Sequence, residues 1–189
     1  MAKFLNTSDP IWSYMTTSNM RRYDCKVDVT DDMHDEDVLF RRFFGYRRVI
    51  ISDWMLFLHG HLYQKSTRYR ATTAIYNAMK VSFREQGTPL DTETLLFQDM
   101  NNTCGIVEVG DMASAGQGLT YELRVKNSSI EAPNQTDCFK EYQKMVKKAK
   151  VTVTYLPACQ NILIGMNNII AGGSPDNGAI GLLYFISWI

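Results

Sequence analysis

LLFQDMNNTCGIVEVGDMASAGQGLTYELRVKNSSIEAPNQTDCFKEYQKMVKKAKVTVTYLPAC, residues 95–159, is the stretch that decides the fold. Residues 103–109 and 120–126 alternate apolar and polar side chains, which is the period of a half-buried strand. Residues 137–149 instead place apolar side chains at helical spacing, with lysines on the opposite face. Thr136 is suited to cap this helix. The stretch therefore predicts antiparallel strands with one amphipathic helix docked on them.

The sequence before this stretch continues the strand pattern. Residues 21–29 alternate, with Tyr23, Cys25, Val27 and Val29 on one side and charged residues on the other. Further strand-like runs cover 38–44, 50–62 and 92–98, whereas 70–81 suits either a strand or a helix. Strands and turns at this spacing predict an all-β antiparallel sandwich or barrel.

Two features of the first half resemble metal sites. The acidic run 31–37 lacks the glycine and the closing glutamate of a calcium loop, so a solvated hairpin tip is favoured. His59 and His61 would share one face of a strand, but no third ligand pointing the same way is evident. We expect neither a metal nor a cofactor.

Composition narrows the class of protein. The 189 residues form one domain by length, and 20 basic against 20 acidic residues give no net charge to attract nucleic acid. Aromatic residues make up 12% of the chain, which suits strands and an aromatic-lined interior. No nucleophile elbow, metal-binding helix motif or phosphate loop is present, so we expect a binding protein and not an enzyme.

Cysteines and glycosylation sequons favour an oxidising, secretory compartment. Four cysteines occur without Cys-x-x-Cys pairs, and four asparagines head acceptor sequons, namely Asn6, Asn101, Asn127 and Asn134. Residues 1–5 lack the apolar core of a signal peptide, which we interpret as a trimmed or incomplete start. We expect a secreted glycoprotein with a flexible N-terminal segment at residues 1–9.

The last part of the chain differs in composition. Residues 161–189 are apolar and glycine-rich, and the final eleven are too few to span a bilayer as a helix. A lipid-anchor signal is an alternative, because small residues at 172–174 precede the apolar end. We expect an atypical, loosely ordered tail and no membrane span.

Several motifs follow one another in a fixed order, namely IWSY at 11–14, LFQD at 96–99 before Cys104, YELRVKNS at 121–128, and then Cys138 and Cys159. Together they resemble the salivary lipocalins of ticks, the family that includes the histamine-binding proteins. The resemblance implies an eight-stranded antiparallel lipocalin-type barrel over residues 10–160, with the helix 137–149 packed on its side. It also implies the disulfides Cys25–Cys159 and Cys104–Cys138, which the sequence alone could not choose among three pairings.

The amine binders of that family resemble a pattern of Cys-Asp-aliphatic followed by Glu-Leu-aromatic. Here Glu122 is retained, whereas Gly105 replaces the aspartate and Arg124 replaces the aromatic residue. An inward Glu122 would suit an ammonium group, and an inward Arg124 would suit an acidic lipid such as a leukotriene. Both side chains could equally face outward, opposite Tyr121 and Leu123. The candidate ligand-contacting residues are Trp54, Phe57, Phe97, Tyr121, Glu122 and Arg124.

Two functions follow from the resemblance. The first is a secreted, monomeric barrel that sequesters a small host mediator, either an amine such as histamine or serotonin, or an acidic lipid. The second is an inhibitor that binds a host complement or clotting protein through its loops or its lysine-rich helix.

Overall fold

The computed structural model describes residues 1–18, 23–45, 54–66, 76–111 and 118–164. The strands are β1 (Ile11–Thr16), β2 (Cys25–His34), β3 (Asp37–Gly45), β4 (Trp54–Tyr63), β5 (Ala78–Phe83), β6 (Pro89–Gln98), β7 (Cys104–Asp111), β8 (Thr120–Lys126) and β9 (Thr152–Val153). The α-helices are α1 (Ala2–Leu5) and α2 (Asp137–Met145), and short 3-10 helices cover Asn127–Ser129, Pro133–Gln135 and Pro157–Gln160.

The strands close into a barrel. From β2 to β8 each strand pairs antiparallel with the next, and β8 pairs with β1. Ile11 and Trp12 of β1 then pair with Asp28 and Val27 of β2, which completes the ring of eight strands. The two-residue β9 adds to the far end of β1. The predicted eight-stranded antiparallel barrel is confirmed.

Helix α1 fills one end of the barrel. The side chains of Met1 and Phe4 are fully buried and pack with Leu95 and Val107 on the inner barrel surface. The prediction of a flexible segment at residues 1–9 therefore differs from the structure. The physical reason is burial of apolar surface, since these side chains replace water at an otherwise open barrel end.

A second apolar layer lies outside the barrel wall, beneath α2 and the C-terminal segment. Trp12, Ile106 and Leu123 point outward into this layer and meet Tyr142 of α2. The disulfides Cys25–Cys159 and Cys104–Cys138 cross it, and they are the two pairings that the family resemblance implies. The helix is thus attached to the barrel by both packing and covalent bonds.

Helix α2 begins where its sequence predicts and ends earlier. The Thr136 hydroxyl accepts a hydrogen bond from the Phe139 amide at 3.2 Å, which satisfies a free amide of the first turn. The helix ends at Met145 and not at residue 149. Val146 is buried and has non-helical backbone angles, and the chain turns there to return to β9.

Only four residues of the predicted tail are described. Ile162 is buried in the layer beneath α2. Residues 165–189, which we predicted to be loosely ordered, lie outside the described residues. Within the described ranges, no helix is both long and apolar enough to cross a membrane.

Gly60 on β4 faces inward at a crowded point of the barrel, and replacing it tests the packing there. A Cβ at this position would lie 2.8 Å from Val38 Cγ1 and would also overlap the side chain of Met79. We expect Gly60→Ala to lower the free energy of unfolding by about 1–3 kcal/mol through overpacking. Urea denaturation checks this, with Gly118→Ala as the control, because a Cβ at Gly118 meets nothing within 4 Å among the described residues. Equal stability of the two variants would contradict the packing described here.

Candidate functional site

The end of the barrel opposite α1 contains a group of charged side chains in its interior. Alternation along β2, β3, β6 and β8 directs them inward, and each residue is at most 8% exposed. This interior charge cluster consists of Lys26, Asp28, Arg42, Asp91, Glu93, Glu122 and Arg124.

Arg42 joins three of the carboxylates. Its guanidinium donates to both oxygens of Asp28, at 2.7 and 2.9 Å. It also donates to Glu93 Oε1 at 2.7 Å and to Asp91 Oδ2 at 3.1 Å. Planar, multidentate contacts of this kind are the ones that arginine is suited to make.

Arg124 and Lys26 bind the remaining carboxylate oxygens. Arg124 donates to both oxygens of Glu93 at 2.6 Å and to Glu122 Oε2 at 2.9 Å. The Lys26 ammonium donates to the two oxygens of Glu122 at 2.8 and 3.0 Å, and the Ser13 hydroxyl adds a bond of 2.9 Å. Glu122 is therefore fully engaged by the protein itself.

The cluster has one more carboxylate than it has cations. Four carboxylates face three cations, so the cluster carries a charge of −1 when all groups are ionised. The excess is localised at Asp91, whose Oδ1 is buried and has no hydrogen-bond partner among the described residues. A buried, unpartnered acceptor is costly unless a donor reaches it.

Burial and neighbouring charges separate the pKa values of these carboxyl groups. Burial, and then the charge of Glu93, raise the pKa of Asp91 to about 6 despite Arg42. Burial would also raise the pKa of Glu122, but Lys26 and Arg124 outweigh it and bring this pKa down to about 2. Asp91 is thus the carboxyl group of the cluster that changes charge near neutral pH.

Aromatic side chains surround the barrel mouth above the cluster. Trp54 lies at the start of β4, paired with Phe44 of β3, and both follow the inward alternation of Leu58 and Arg42. The Tyr23 ring lies 4.8 Å from that of Phe44. Burial, and then the charge of Glu122, raise the pKa of the Tyr23 hydroxyl.

The structure separates the candidate residues predicted from the sequence. Glu122 and Arg124 face the interior, and Trp54 lies at the mouth. Phe97 and Tyr121 instead pack in the outer layer, where Tyr142 Oη donates to the Tyr121 carbonyl at 3.0 Å. Phe57 is 44% exposed on the outer wall, beneath the Arg84 guanidinium.

Gly105 occupies the position where the family resemblance implies an aspartate. It pairs with Arg124 across β7 and β8. A Cβ on Gly105 would lie 2.8 Å from Leu95 Cδ1 and 3.6 Å from Phe4 Cε1. The space that an aspartate would need is therefore filled by apolar side chains, and Asp91 and Glu93 supply carboxylates from β6 instead.

Five members of the cluster were not among the predicted residues. They are Lys26, Asp28, Arg42, Asp91 and Glu93. Glu93 lies in the predicted strand 92–98 and Asp91 lies just before it, two residues from Glu93. Their alternation with the apolar Leu95 is the available sequence signal for an inward pair. The sequence contains no signal that Arg42 of β3 pairs with Asp91 and Glu93 of β6, since this pairing depends on closure of the barrel.

The predicted glycosylation sites differ in accessibility. Asn6, Asn101 and Asn134 are exposed. The Asn127 side chain is half-buried, and its Oδ1 accepts bonds from Trp12 Nε1 at 2.9 Å and Gln160 Nε2 at 2.7 Å.

A closed eight-stranded barrel with a helix packed on its side and a polar interior defines a lipocalin-like fold. The chain is similar to the protein AM182 in its serotonin complex, with a TM-score of 0.59 and 16% identity over 84% of this chain and 90% of the other. It is also similar to Japanin from Rhipicephalus appendiculatus bound to cholesterol, with a TM-score of 0.52 and 10% identity over 82% of this chain and 97% of the other. No protein-family model and no curated protein matches the sequence.

Proposed function

We propose that this protein is a secreted lipocalin that binds a small organic amine, such as serotonin or histamine, at the mouth of its barrel. The main observation that supports an amine ligand is Asp91 Oδ1, which has no hydrogen-bond partner among the described residues and belongs to a cluster of net charge −1. An ammonium group placed there neutralises the cluster and satisfies the acceptor. No catalysis is needed, since sequestration depends on affinity alone.

The charge balance favours an amine over the other ligand classes. A carboxylate-bearing lipid would bring the cluster to −2 with Arg42 and Arg124 already bonded to protein carboxylates. A sterol would bury apolar surface against charged groups, which costs free energy. Trp54, Phe44 and Tyr23 offer aromatic faces to the ring or ammonium group of an amine.

Three further observations support the proposal. Solved neighbours of the same fold are complexes with small molecules, serotonin and cholesterol. The motifs of the amine-binding family are retained in part, with Glu122 inward. The two disulfides suit a protein secreted into an oxidising medium.

Replacing Asp91 by asparagine tests the ammonium acceptor. We expect Asp91→Asn to weaken binding of serotonin or histamine by about 10- to 100-fold, because it removes one charge-assisted hydrogen bond. Isothermal titration calorimetry at pH 7.5 on the disulfide-intact protein gives the comparison. Glu131→Gln is the control, since Glu131 is exposed and lines a separate groove outside the barrel. Unchanged amine binding in Asp91→Asn, or binding of fatty acids but not amines, would contradict the proposal.

The pH dependence of binding follows from the same group. Because the pKa of Asp91 lies at about 6 in the free protein, lowering the pH through 6 protonates the acceptor and removes the excess negative charge. We expect amine affinity to fall about tenfold between pH 7.5 and pH 5. Binding measured for the Asp91→Asn variant should stay flat over this range; a parallel fall in the variant would assign the effect to another group.

A further inference from the structure

A second site lies on the outer wall of the barrel, at the end that α1 closes. All three histidines of the chain are on this part of the outer surface. The register pairs His34 of β2 with Asp37 of β3, and Asp37 with His61 of β4. His59 lies two residues before His61 on β4, so both imidazoles point to the same side of the strand.

Two of these imidazoles contact the same carboxylate oxygen. His59 Nε2 lies 2.8 Å from Asp37 Oδ1, and His61 Nδ1 lies 3.1 Å from it. An exposed aspartate is ionised at neutral pH, so both imidazoles face a charged carboxylate. Two imidazoles and one ionised carboxylate are thereby held together on adjacent strands.

We propose that Asp37, His59 and His61 form a surface binding site for a divalent transition-metal ion of the Zn²⁺ type. Two imidazole nitrogens and a carboxylate oxygen are a ligand set that Zn²⁺ accepts, with water completing the coordination. In the structure the imidazoles share the carboxylate oxygen through hydrogen bonds. When a metal ion binds, both imidazole nitrogens coordinate the ion and no longer donate hydrogen bonds to Asp37 Oδ1. The imidazoles must rotate toward each other for this to happen.

The surroundings permit this rearrangement. The side chains of Asp37, His59 and His61 are 53%, 35% and 49% exposed, so their rotation disturbs little packing. A cleft lined by Asp35, Glu36, Asp37 and Tyr76 opens beside them and leaves room for coordinated water.

The charged residues around the site favour binding of a cation. Asp35 and Glu36 at the hairpin tip add negative charge next to Asp37. Lys80 pairs with His61 across β4 and β5, and its ammonium lies 5.7 Å from the centre of the Tyr63 ring. The nearby Arg41 and Arg84 are both bonded to Asp31.

The register of the barrel supplies the ligand that the sequence does not reveal. Asp37 follows the hairpin tip and stands 22 and 24 residues from His59 and His61. Only the pairing of β3 with β4 brings it beside them. The site is on the outer wall, so it is independent of the proposed amine site at the barrel mouth.

Titration of Zn²⁺ into the disulfide-intact protein at pH 7.5, followed by calorimetry, tests this site. We expect one ion per chain with micromolar affinity. The variant His59→Gln/His61→Gln should lose at least about 100-fold in affinity, and Asp37→Asn about tenfold. Absorption bands of bound Co²⁺ should appear in the unmodified protein and be lost in the double variant.

His34→Gln is the matched control, because His34 lies on the same surface but its Nδ1 faces Asp35 Oδ2 at 3.1 Å. It should bind Zn²⁺ within about threefold of the unmodified protein. A loss in His34→Gln as large as in the double variant would overturn the three-residue site in favour of loose chelation by surface histidines. Binding only at millimolar Zn²⁺ would overturn it as well. Circular dichroism confirms that each exposed-site variant is folded.

Discussion

Replacing Arg124 by methionine is expected to lower the free energy of unfolding by about 3–5 kcal/mol, since it breaks a buried ion network from one side. The guanidinium is 1% exposed and binds Glu93 and Glu122, with Asp28 at 3.5 Å. Without it, four carboxylates face two cations inside the barrel. Urea denaturation of the two proteins at pH 7 measures the difference.

Arg41→Met is the matched control for this prediction. Arg41 forms a partly exposed ion pair with Asp31 at 2.7 Å on the outer wall. Solvent screening leaves such a pair worth about 1 kcal/mol or less. A similar loss in Arg41→Met and Arg124→Met would show that the interior network does not have the energetic role given to it here.

The Arg124→Met variant should also gain more stability on acidification than the unmodified protein does. In the unmodified protein the pKa of Glu122 is lowered to about 2 from 4.5, so its contribution to stability is present above 4.5 and lost as the pH falls toward 2. Loss of Arg124 removes one of the cations that lower this pKa. The folded-state pKa of Glu122 then rises, so between pH 7 and pH 5 the variant should gain stability beyond the gain that protonation of Asp91 gives to both proteins.

Alternation and turn spacing predicted an antiparallel sandwich or barrel, and the resemblance to the tick lipocalins was what selected the eight-stranded barrel. The helix cap at Thr136 followed from local chemistry, and the structure shows it. Strand period does not, however, say which side faces the interior. On β2 the apolar Cys25, Val27 and Val29 face outward under the C-terminal segment, and the charged Lys26 and Asp28 face inward.

This reversal explains why most of the interior charge cluster could not be predicted. The usual expectation places charged residues outside, because burying an unpaired charge is costly. Here the costs are offset by pairing among residues from four strands, such as Arg42 with Asp91 at 3.1 Å across 49 positions of sequence. Such pairing depends on barrel closure and on the bulges in β2–β3 and β6–β7, which shift the register.

Removing the Cys25–Cys159 disulfide is expected to have the other large effect on stability. The bond joins residues 134 apart, so in the chain-entropy model its loss from Cys25→Ala/Cys159→Ala lowers the free energy of unfolding by about 5 kcal/mol. Cys104→Ala/Cys138→Ala opens a loop of 34 residues and should cost about 4 kcal/mol. Alanine is chosen because both bridges are buried and a serine hydroxyl would lack a partner.

The two double variants should differ more in local opening than in global stability. Cys159 is the covalent link that holds residues 157–160 and Ile162 against the outer layer, so its loss should expose this segment to proteases first. Loss of Cys138 removes the covalent link at the first turn of α2. The Thr136 cap and the buried Tyr142 still keep the helix in place. Urea denaturation and limited proteolysis followed by mass spectrometry give both readouts. Early cleavage near residue 160 in the Cys104→Ala/Cys138→Ala protein, and not in the other, would contradict this assignment of the two bridges.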